Sequence, residues 1–331
     1  MVTPRHNLYL PLAIALLSVG AVNAGIAIAT RHSIPRQVMA NANRSRAASV
    51  LALGNSLVAA GFNGPAFNVS AGLDSRRGAA NIAMGSSTPV EQLLLLRFSF
   101  QQGIHPRILL YGFFDFQLTD GIVLSTSELV GNRAMLYYVE PDYGRQFYQL
   151  SPRDGLEFTI MKHVPMFADR GAVWAKVERL RRSLAQYGMP VERTNRFGRA
   201  GDFALLEASS VAEFIERCQS GLQSDLNPAV REIIEQSSAA GAQVVFIEMP
   251  MSPAHLRSFY ETPAWKRYRK HLQELLDTRR VTYINASHWI GDGSLFADSL
   301  HLSEEGAERF SRRLGAAVGS SHLVQNVMPS N

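Results

Sequence analysis

Two short stretches hold residue types suited to acyl chemistry. In "SVLALGNSLVAAGF" (49–62), Gly54-Asn55-Ser56 closes an apolar run; in "LFADSLHLSEEG", Asp298 stands three residues before His301. A serine hydroxyl attacks a carbonyl only when a base takes its proton, and an imidazole base needs a third group to fix its tautomer. Ser56, His301 and Asp298 are the right types for those three roles. Base and orienter share one short loop, so only Ser56 must come from afar. Each residue also has a plainer reading: Ser56 as a helix N-cap, His301 as a capping or surface residue, Asp298 as an Asx-turn residue.

These residues need a scaffold, and the pattern of apolar runs predicts one. "SVLAL" (49–53), "NIAM" (81–84), "RILLYGFF" (107–114), "QVVFIEM" (243–249) and "VTYINA" (281–286) are continuous apolar runs without alternation. That is how parallel strands covered on both faces read. Between them, "TPVEQLLLLRFSFQQ" (88–102), "NPAVREIIEQSSAA" (227–240) and "TPAWKRYRKHLQELLD" (262–277) each begin with a capping residue and then proline. This is a helix start with a mechanism, because proline suits the first helical position. The alternation predicts an α/β fold with a doubly wound, mainly parallel sheet, whose ligands sit at the C-terminal strand ends. Ser303 is placed to cap the last helix, where Glu304 and Glu305 suit the positive end. The stretch from about 118 to 225 breaks the alternation, with helices expected near 171–187 and 208–220. It reads as a mostly helical insertion flanking the active face. Its aromatics Tyr137, Tyr138, Tyr143, Phe147 and Tyr148 are candidates for a glycan groove or for packing.

The N-terminus has a different character. From Asn7 to Thr30 there is no charged residue, and about 20 apolar residues suffice to cross a bilayer. Residues 1–30 read as a membrane anchor, or as a signal peptide with a Val22-x-Ala24 cleavage site; either implies export. Residues 31–47, polar and basic, read as a linker, and 319–331 as a tail. Arg5 precedes the apolar segment while Arg31, Arg36, Arg44 and Arg46 follow it, a distribution that by itself favours a cytoplasmic C-terminus. The net charge of +5 is scattered along the chain and points away from nucleic acid. The single cysteine, Cys218, excludes an intramolecular disulfide and a cysteine metal cluster. His255, His271 and His288 lack metal-ligand spacing. Glu248 ends a strand and is either a cleft residue or half of a structural ion pair.

Over about residues 48–318, less the insertion, the chain resembles the SGNH (GDSL-like) hydrolase superfamily through "LALGNSL" and "DSLHLSEEG". The resemblance implies a flavodoxin-like three-layer α/β/α fold, with Ser56 as nucleophile, His301 as base and Asp298 as its partner. It implies no metal or organic cofactor. "NIAMGSSTP" resembles the family's second block, which implies a site role for Asn81 and an oxyanion donor from the backbone of Gly85 or Ser86. The third block reads "YGFFDFQ". Gly112 and Asp115 match it, but Phe114 stands where the family has a donating asparagine. Loss of one such donor costs on the order of 10²–10³ in rate. Gln117 is the candidate substitute.

With its altered third block and an N-terminal anchor, the chain resembles the membrane-anchored SGNH-like proteins that acylate or deacylate bacterial surface polymers. That resemblance overrules the charge distribution, and the function it implies is an extracytoplasmic serine esterase or O-acyltransferase acting on a polysaccharide or cell-envelope glycan. It would be anchored in the inner membrane or secreted, with its domain in the periplasm. An acylated glycan or envelope polymer is the expected partner, and a membrane acyl-donor protein is a further one in the case of transfer. The alternative is a non-catalytic glycan-binding or envelope-assembly protein, which Phe114 favours and the triad opposes.

Overall fold

A computed structural model describes residues 9–32, 34–74, 78–119, 152–185, 208–279 and 281–320. The chain divides into two compact units, Met1–Gln37 with Val123–Pro190, and Val38–Ile122 with Val191–Asn331.

The larger unit is built on five strands: β1 (Val50–Gly54), β2 (Ala79–Asn81), β3 (Ile108–Phe113), β4 (Gln243–Glu248) and β5 (Thr282–Asn285). All four pairings are parallel and the order is β2-β1-β3-β4-β5. This is the flavodoxin-like order, whose switch point lies between β1 and β3. Every residue of β1 and β3 is buried, which explains their unbroken apolar runs. The predicted strand over 81–84 falls later than β2. Its residues still follow β1, because Ile82 and Met84 donate backbone N–H bonds to Ala52 and Gly54 at 3.0 and 3.1 Å.

Helices α3 (Ser56–Gly61) and α4 (Gly64–Ala71) lead from β1 to β2, and α5 (Pro89–Gln101) leads back to β3. The sheet reverses direction there, so right-handed crossovers put α5 on the opposite face from α3 and α4. The three proline-started helices form as predicted: α5, capped by a Thr88–Glu91 box, Pro228–Ala239, capped by Asn227, and Pro263–Asp277, capped by Thr262. Between β4 and the last of these, Pro253–His255 runs into one π-helical turn, Leu256–Tyr260. The C-terminal helix Glu304–Ser320 packs on α3 and α4. Helix Ala208–Gly221 also belongs to this unit and packs on Pro263–Asp277.

The described residues of the smaller unit are helical. Helix α1 (Tyr9–Thr30) is 22 residues long, with a mean hydropathy of 2.2 in its most apolar window. Three further helices are α6 (Pro152–His163), α7 (Pro165–Ala168) and α8 (Arg170–Ala185). The insertion expected over 118–225 is thus divided between the two units. Its aromatic stretch 134–150 lies outside the described residues, as does the tail beyond Ser320. The stretch 31–47, polar enough to suggest a linker, forms helix α2 (Ile34–Arg44) instead. Val38 and Ala42, four residues apart, supply its buried stripe.

Candidate active site

The position of Ser56 follows from a steric demand at the end of β1. Gly54 has φ +154°, and a Cβ there would lie 2.5 Å from Val58 Cγ2 and 2.6 Å from the Gly112 carbonyl oxygen. A Cβ on Gly112, its register partner on β3, would meet the same Val58 methyl at 2.3 Å. Two glycines side by side therefore let α3 drop onto the strand ends at the switch point. Asn55, not Ser56, caps that helix: its Oδ1 accepts the Leu57 N–H at 2.9 Å. The capping task that a serine could have taken is filled, and the Ser56 hydroxyl is left for other use.

It goes to a histidine. Ser56 Oγ lies 2.9 Å from His301 Nε2. On the far side of the ring, His301 Nδ1 lies 2.8 Å from Asp298 Oδ2 and 3.0 Å from Oδ1. An Asp298 carboxylate accepts from Nδ1–H, so the network assigns the tautomer that leaves Nε2 free to accept the serine proton. Asp298 Oδ1 also takes the backbone N–H groups of Leu300 at 2.8 Å and His301 at 2.7 Å. Partial burial acts to raise the Asp298 pKa. The two backbone N–H groups and the His301 ring outweigh it and hold the carboxyl below its ordinary value. The loop is braced from outside, since Ser252 Oγ donates to the Ser299 carbonyl at 2.7 Å. Ser303 Oγ accepts the Gly306 N–H at 3.2 Å and so caps the C-terminal helix.

An oxyanion needs donors aimed beside the serine. A Cβ on Gly85 would lie 3.8 Å from Ser56 Cβ, so this glycine stands against the nucleophile. The backbone N–H groups of Ser56 and Gly85 have no acceptor among the described residues. Ser56 is also the first residue of α3, where N–H groups point out of the helix. Ser86 is exposed, in the left-handed region at φ +58°. Asn81 differs from its expected site role. Its amide nitrogen donates to the Val58 and Phe62 carbonyls, both at 3.0 Å, and its oxygen accepts the Ala83 N–H at 3.0 Å. It ties the second block to α3 and holds no free donor for a substrate.

Gln117, the candidate replacement for the missing asparagine, is also committed. Its Oε1 accepts from Asn55 Nδ2 at 2.7 Å, and its Nε2 donates to Gln92 Oε1 at 3.1 Å and Tyr111 Oη at 3.3 Å. Gln92 in turn donates to the Ser87 carbonyl at 3.1 Å. Burial pushes the Tyr111 phenol far up, so it stays protonated and donates to Gln92 Oε1. The relay fixes Asn55, and through it the start of α3, and supplies no oxyanion donor.

Asp115 sits in the left-handed region at φ +46°. Tyr260 Oη accepts its N–H at 3.0 Å and donates to Oδ1 at 2.9 Å, while His255 Nε2 lies 3.2 Å from the same oxygen. Asp115 lines a cavity of about 220 Å³ together with Asn55, Thr88, Phe114, Gln117 and Arg217. Phe114 thus contributes an apolar wall where a donor was expected. The Arg217 guanidinium stacks 4.4 Å from the Phe116 ring centroid. Glu248 does not reach this cavity. It is buried and bonded to Arg269 at 2.8 Å and to Tyr283. Burial raises its pKa, against the opposing pull of Arg269. Burial likewise pushes the Cys218 thiol up to about 12, so it is no nucleophile. Among the described residues no cluster of three His, Cys, Asp or Glu could hold a metal.

Residue-by-residue reading missed the cap at Asn55 and the His255–Tyr260 clamp on Asp115. The first had a signal, since asparagine is a strong capping residue. The second joins residues about 140 positions apart and had none.

A serine after β1 and an Asp-x-x-His before the last helix meet at the switch point of a 2-1-3-4-5 parallel sheet. The fold is flavodoxin-like in its strand order. Two solved structures are similar to the chain. A protein from Bacteroides fragilis assigned as an acylhydrolase aligns at 10% identity and a TM-score of 0.36, covering 84% of this chain and 88% of its own. A GDSL-like lipase from Bacteroides thetaiotaomicron aligns at 10% identity and a TM-score of 0.34, covering 85% and 98%. Neither identity nor TM-score is high enough to transfer a substrate or an activity. No protein-family model matches the sequence, and neither does any curated protein.

Proposed function

We propose that this SGNH-like protein is a serine esterase or O-acyltransferase acting on an acylated glycan or cell-envelope polymer, anchored by α1 with its α/β unit outside the cytoplasm. The observation that carries the chemistry is the 2.9 Å contact between Ser56 Oγ and His301 Nε2, with Asp298 on the opposite ring nitrogen. As Oγ attacks the acyl carbonyl, its proton passes to Nε2. The tetrahedral oxyanion is met by the N–H groups of Ser56 and Gly85, at the positive end of α3. Collapse breaks the bond to the leaving alkoxide, which takes the proton back from Nε2. The acyl group remains on Ser56. Water or a sugar hydroxyl, deprotonated by His301, then attacks the acyl-enzyme and releases acid or a new ester. A cavity of about 220 Å³ is lined by Asn55, the residue before Ser56, and by Phe114 and Asp115. It is smaller than the ~300–1,000 Å³ of ordinary ligand sites, and we assign it to the substrate on that adjacency.

The anchor reading has its own support. The Met166 N–H donates to Asn23 Oδ1 at 2.8 Å, and Thr30 Oγ1 donates to Asp169 Oδ2 at 2.8 Å. Cleavage after Ala24 would remove the first of these bonds, which favours a retained α1 over a cleaved signal. An alkaline phosphatase fused to the C-terminus is expected to be active; an inactive fusion overturns the placement.

A second reading, a glycan-binding protein without turnover, is favoured by Phe114. Fluorophosphonate labelling decides between them. Wild-type protein should label covalently, and Ser56→Ala and His301→Ala should not. Wild-type protein that fails to label under conditions that saturate a control serine hydrolase overturns the catalytic reading. Release of free acid, against ester formed on an added oligosaccharide, separates hydrolysis from transfer.

A further inference from the structure

The helical unit carries an apolar surface that the catalytic chemistry does not use. Along α8, Trp174, Val177 and Leu180 are exposed, Trp174 by 71%. Spaced three apart, they span about 120° of one helix face. On α6, Leu156 and Ile160 are exposed one turn apart, and Phe167 on α7 is exposed as well. Six large apolar side chains within about 25 residues (156–180) are thus left in water, on three helices of which α7 packs on both α6 and α8.

What covers them is indicated by what they are attached to. On α1, Asn23, Ile26, Ala27 and Thr30 are the residues drawn out of solvent, at the i, i+3, i+4, i+7 spacing of one face. That face meets α7 and α8 through Asn23 to the Met166 N–H, Thr30 to Asp169, and the Ala29 carbonyl to Lys176 Nζ. The attachment is confined to the last two turns of α1. At 1.5 Å per residue, the seven residues from Asn23 to Thr30 cover about 10 Å. If α1 crosses a bilayer, the attached residues Met166, Asp169 and Lys176, and with them α7 and the start of α8, therefore sit within about 10 Å of the end of the span. That is the depth of the headgroup and upper acyl region, where tryptophan is enriched and amphipathic helices lie. The charge agrees: α8 holds Arg170, Lys176, Arg179, Arg181 and Arg182 with Glu178 as its own acid, while α6 adds Asp154 and Glu157, the latter paired with Arg170.

We infer that α6–α8 form an interfacial seat that lies on an anionic lipid surface, with Trp174 inserted at the headgroup–acyl boundary. This rests on α1 being the membrane anchor. The unit then holds the bilayer in two ways, through the span and through the exposed faces of α6–α8 beside it.

The full-length protein in lipid nanodiscs tests the seat. The chain has three tryptophans; Trp265 is fully buried, Trp289 belongs to the other unit, and α1 has none. Phosphatidylcholine–phosphatidylglycerol discs with acyl chains brominated near the headgroup should quench part of the tryptophan emission. That quenched part should be lost in Trp174→Phe. A quenched fraction unchanged in Trp174→Phe overturns the seat. So does Trp174 shielded from acrylamide yet unquenched by bromolipid, which would mean that a protein surface or a second copy covers the face. Equal quenching in phosphatidylcholine alone overturns the anionic preference. Carbonate extraction of membranes separates the two levels: a chain that resists extraction but shows no Trp174 quenching has an anchor and no seat, whereas an extracted chain fails at the anchor itself.

Discussion

Among the described residues, the α/β unit contains two Asp–His pairs, and they are built in opposite senses. Asp298 takes Nδ1 of His301, so Nε2 projects outward and meets Ser56 Oγ. Asp115 takes Nε2 of His255, the outer nitrogen that a base would use. The surroundings differ too. The His255 ring is packed by Phe214, Phe259 and Tyr260, with centroids 6.4, 4.7 and 5.0 Å away. A carboxylate beside an imidazole is thus not by itself an acid–base device. What matters is which nitrogen the carboxylate occupies and what the other one faces. The first pair readies a histidine for proton transfer; the second uses a histidine and Tyr260 to fix a carboxylate at the edge of a cavity.

Exchanging the roles by mutation should expose the difference. The largest effect is expected for His301→Ala, with the rate of ester cleavage falling by on the order of 10³–10⁶, since removing a triad member leaves only binding and oxyanion assistance. His255→Ala should cost less than about tenfold in kcat and act mainly on stability, through the aromatic packing it vacates. Equal losses in kcat for the two variants would break the comparison.

A second pair of variants sharpens it. Asp298→Asn should lower kcat by up to about 10⁴, because the amide can hold the wrong tautomer. Asp115→Asn should raise KM with little change in kcat, the signature of lost ground-state binding. Steady-state kinetics on one small ester and one acylated oligosaccharide would read both. If Asp115→Asn lowers kcat and leaves KM alone, the carboxylate belongs to the chemistry.

Gln117→Leu should have a smaller effect. Asn55 Nδ2 and Gln92 Oε1 would each lose a partner, a cost of about 1–3 kcal/mol for buried groups. Thermal unfolding should report it, together with slower fluorophosphonate labelling as the start of α3 loosens. Labelling unchanged at lower stability would show that the relay serves the fold alone.

The smallest effect is on acid stability. The folded Asp298 pKa lies below its unfolded value of roughly 3.9. The carboxylate's stabilisation is therefore complete above about pH 3.9 and is lost as pH falls through the folded value. The difference in melting temperature between wild type and Asp298→Asn should shrink as pH falls from about 5 through the folded Asp298 value. A difference that widens in acid would show that Asp298 is not stabilised as its ionised form.

These contrasts also explain what could be read from the residues alone. The Ser56, Asp298 and His301 positions were legible because each motif is local and lies against an element with its own signal, a fully buried strand or a capped helix. β1, β3 and β4 were legible for the same reason. β2 was misplaced because its three residues, Ala79–Asn81, are only half buried while the apolar residues follow them. α2 was invisible because its sequence is polar and its buried stripe is two residues. The π-helical turn had no signal either. Its Glu261 N–H reaches back five residues to the Leu256 carbonyl at 2.9 Å, and this turn carries Phe259 and Tyr260 to His255. The commitment of Gln117 depends on partners from β3 and α5, which no spacing within "YGFFDFQ" reveals.

The Asp298–His301 loop has a consequence for how the proposed activity would be lost. Phe296 and Leu302 pair across it as an antiparallel bridge, and the Ala297 N–H meets the His301 carbonyl at 2.7 Å. Bringing His301 to Asp298 closes a loop of three residues, whereas bringing it to Ser56 closes one of 245. Closure entropy rises with loop length, so nearly all the ordering needed for proton transfer is borne by the second contact. On heating, the histidine and its carboxylate can stay together in a partly opened chain while the serine has already gone. Inactivation should therefore track the undocking of α3 from the C-terminal helix, and precede any change in the histidine's immediate surroundings.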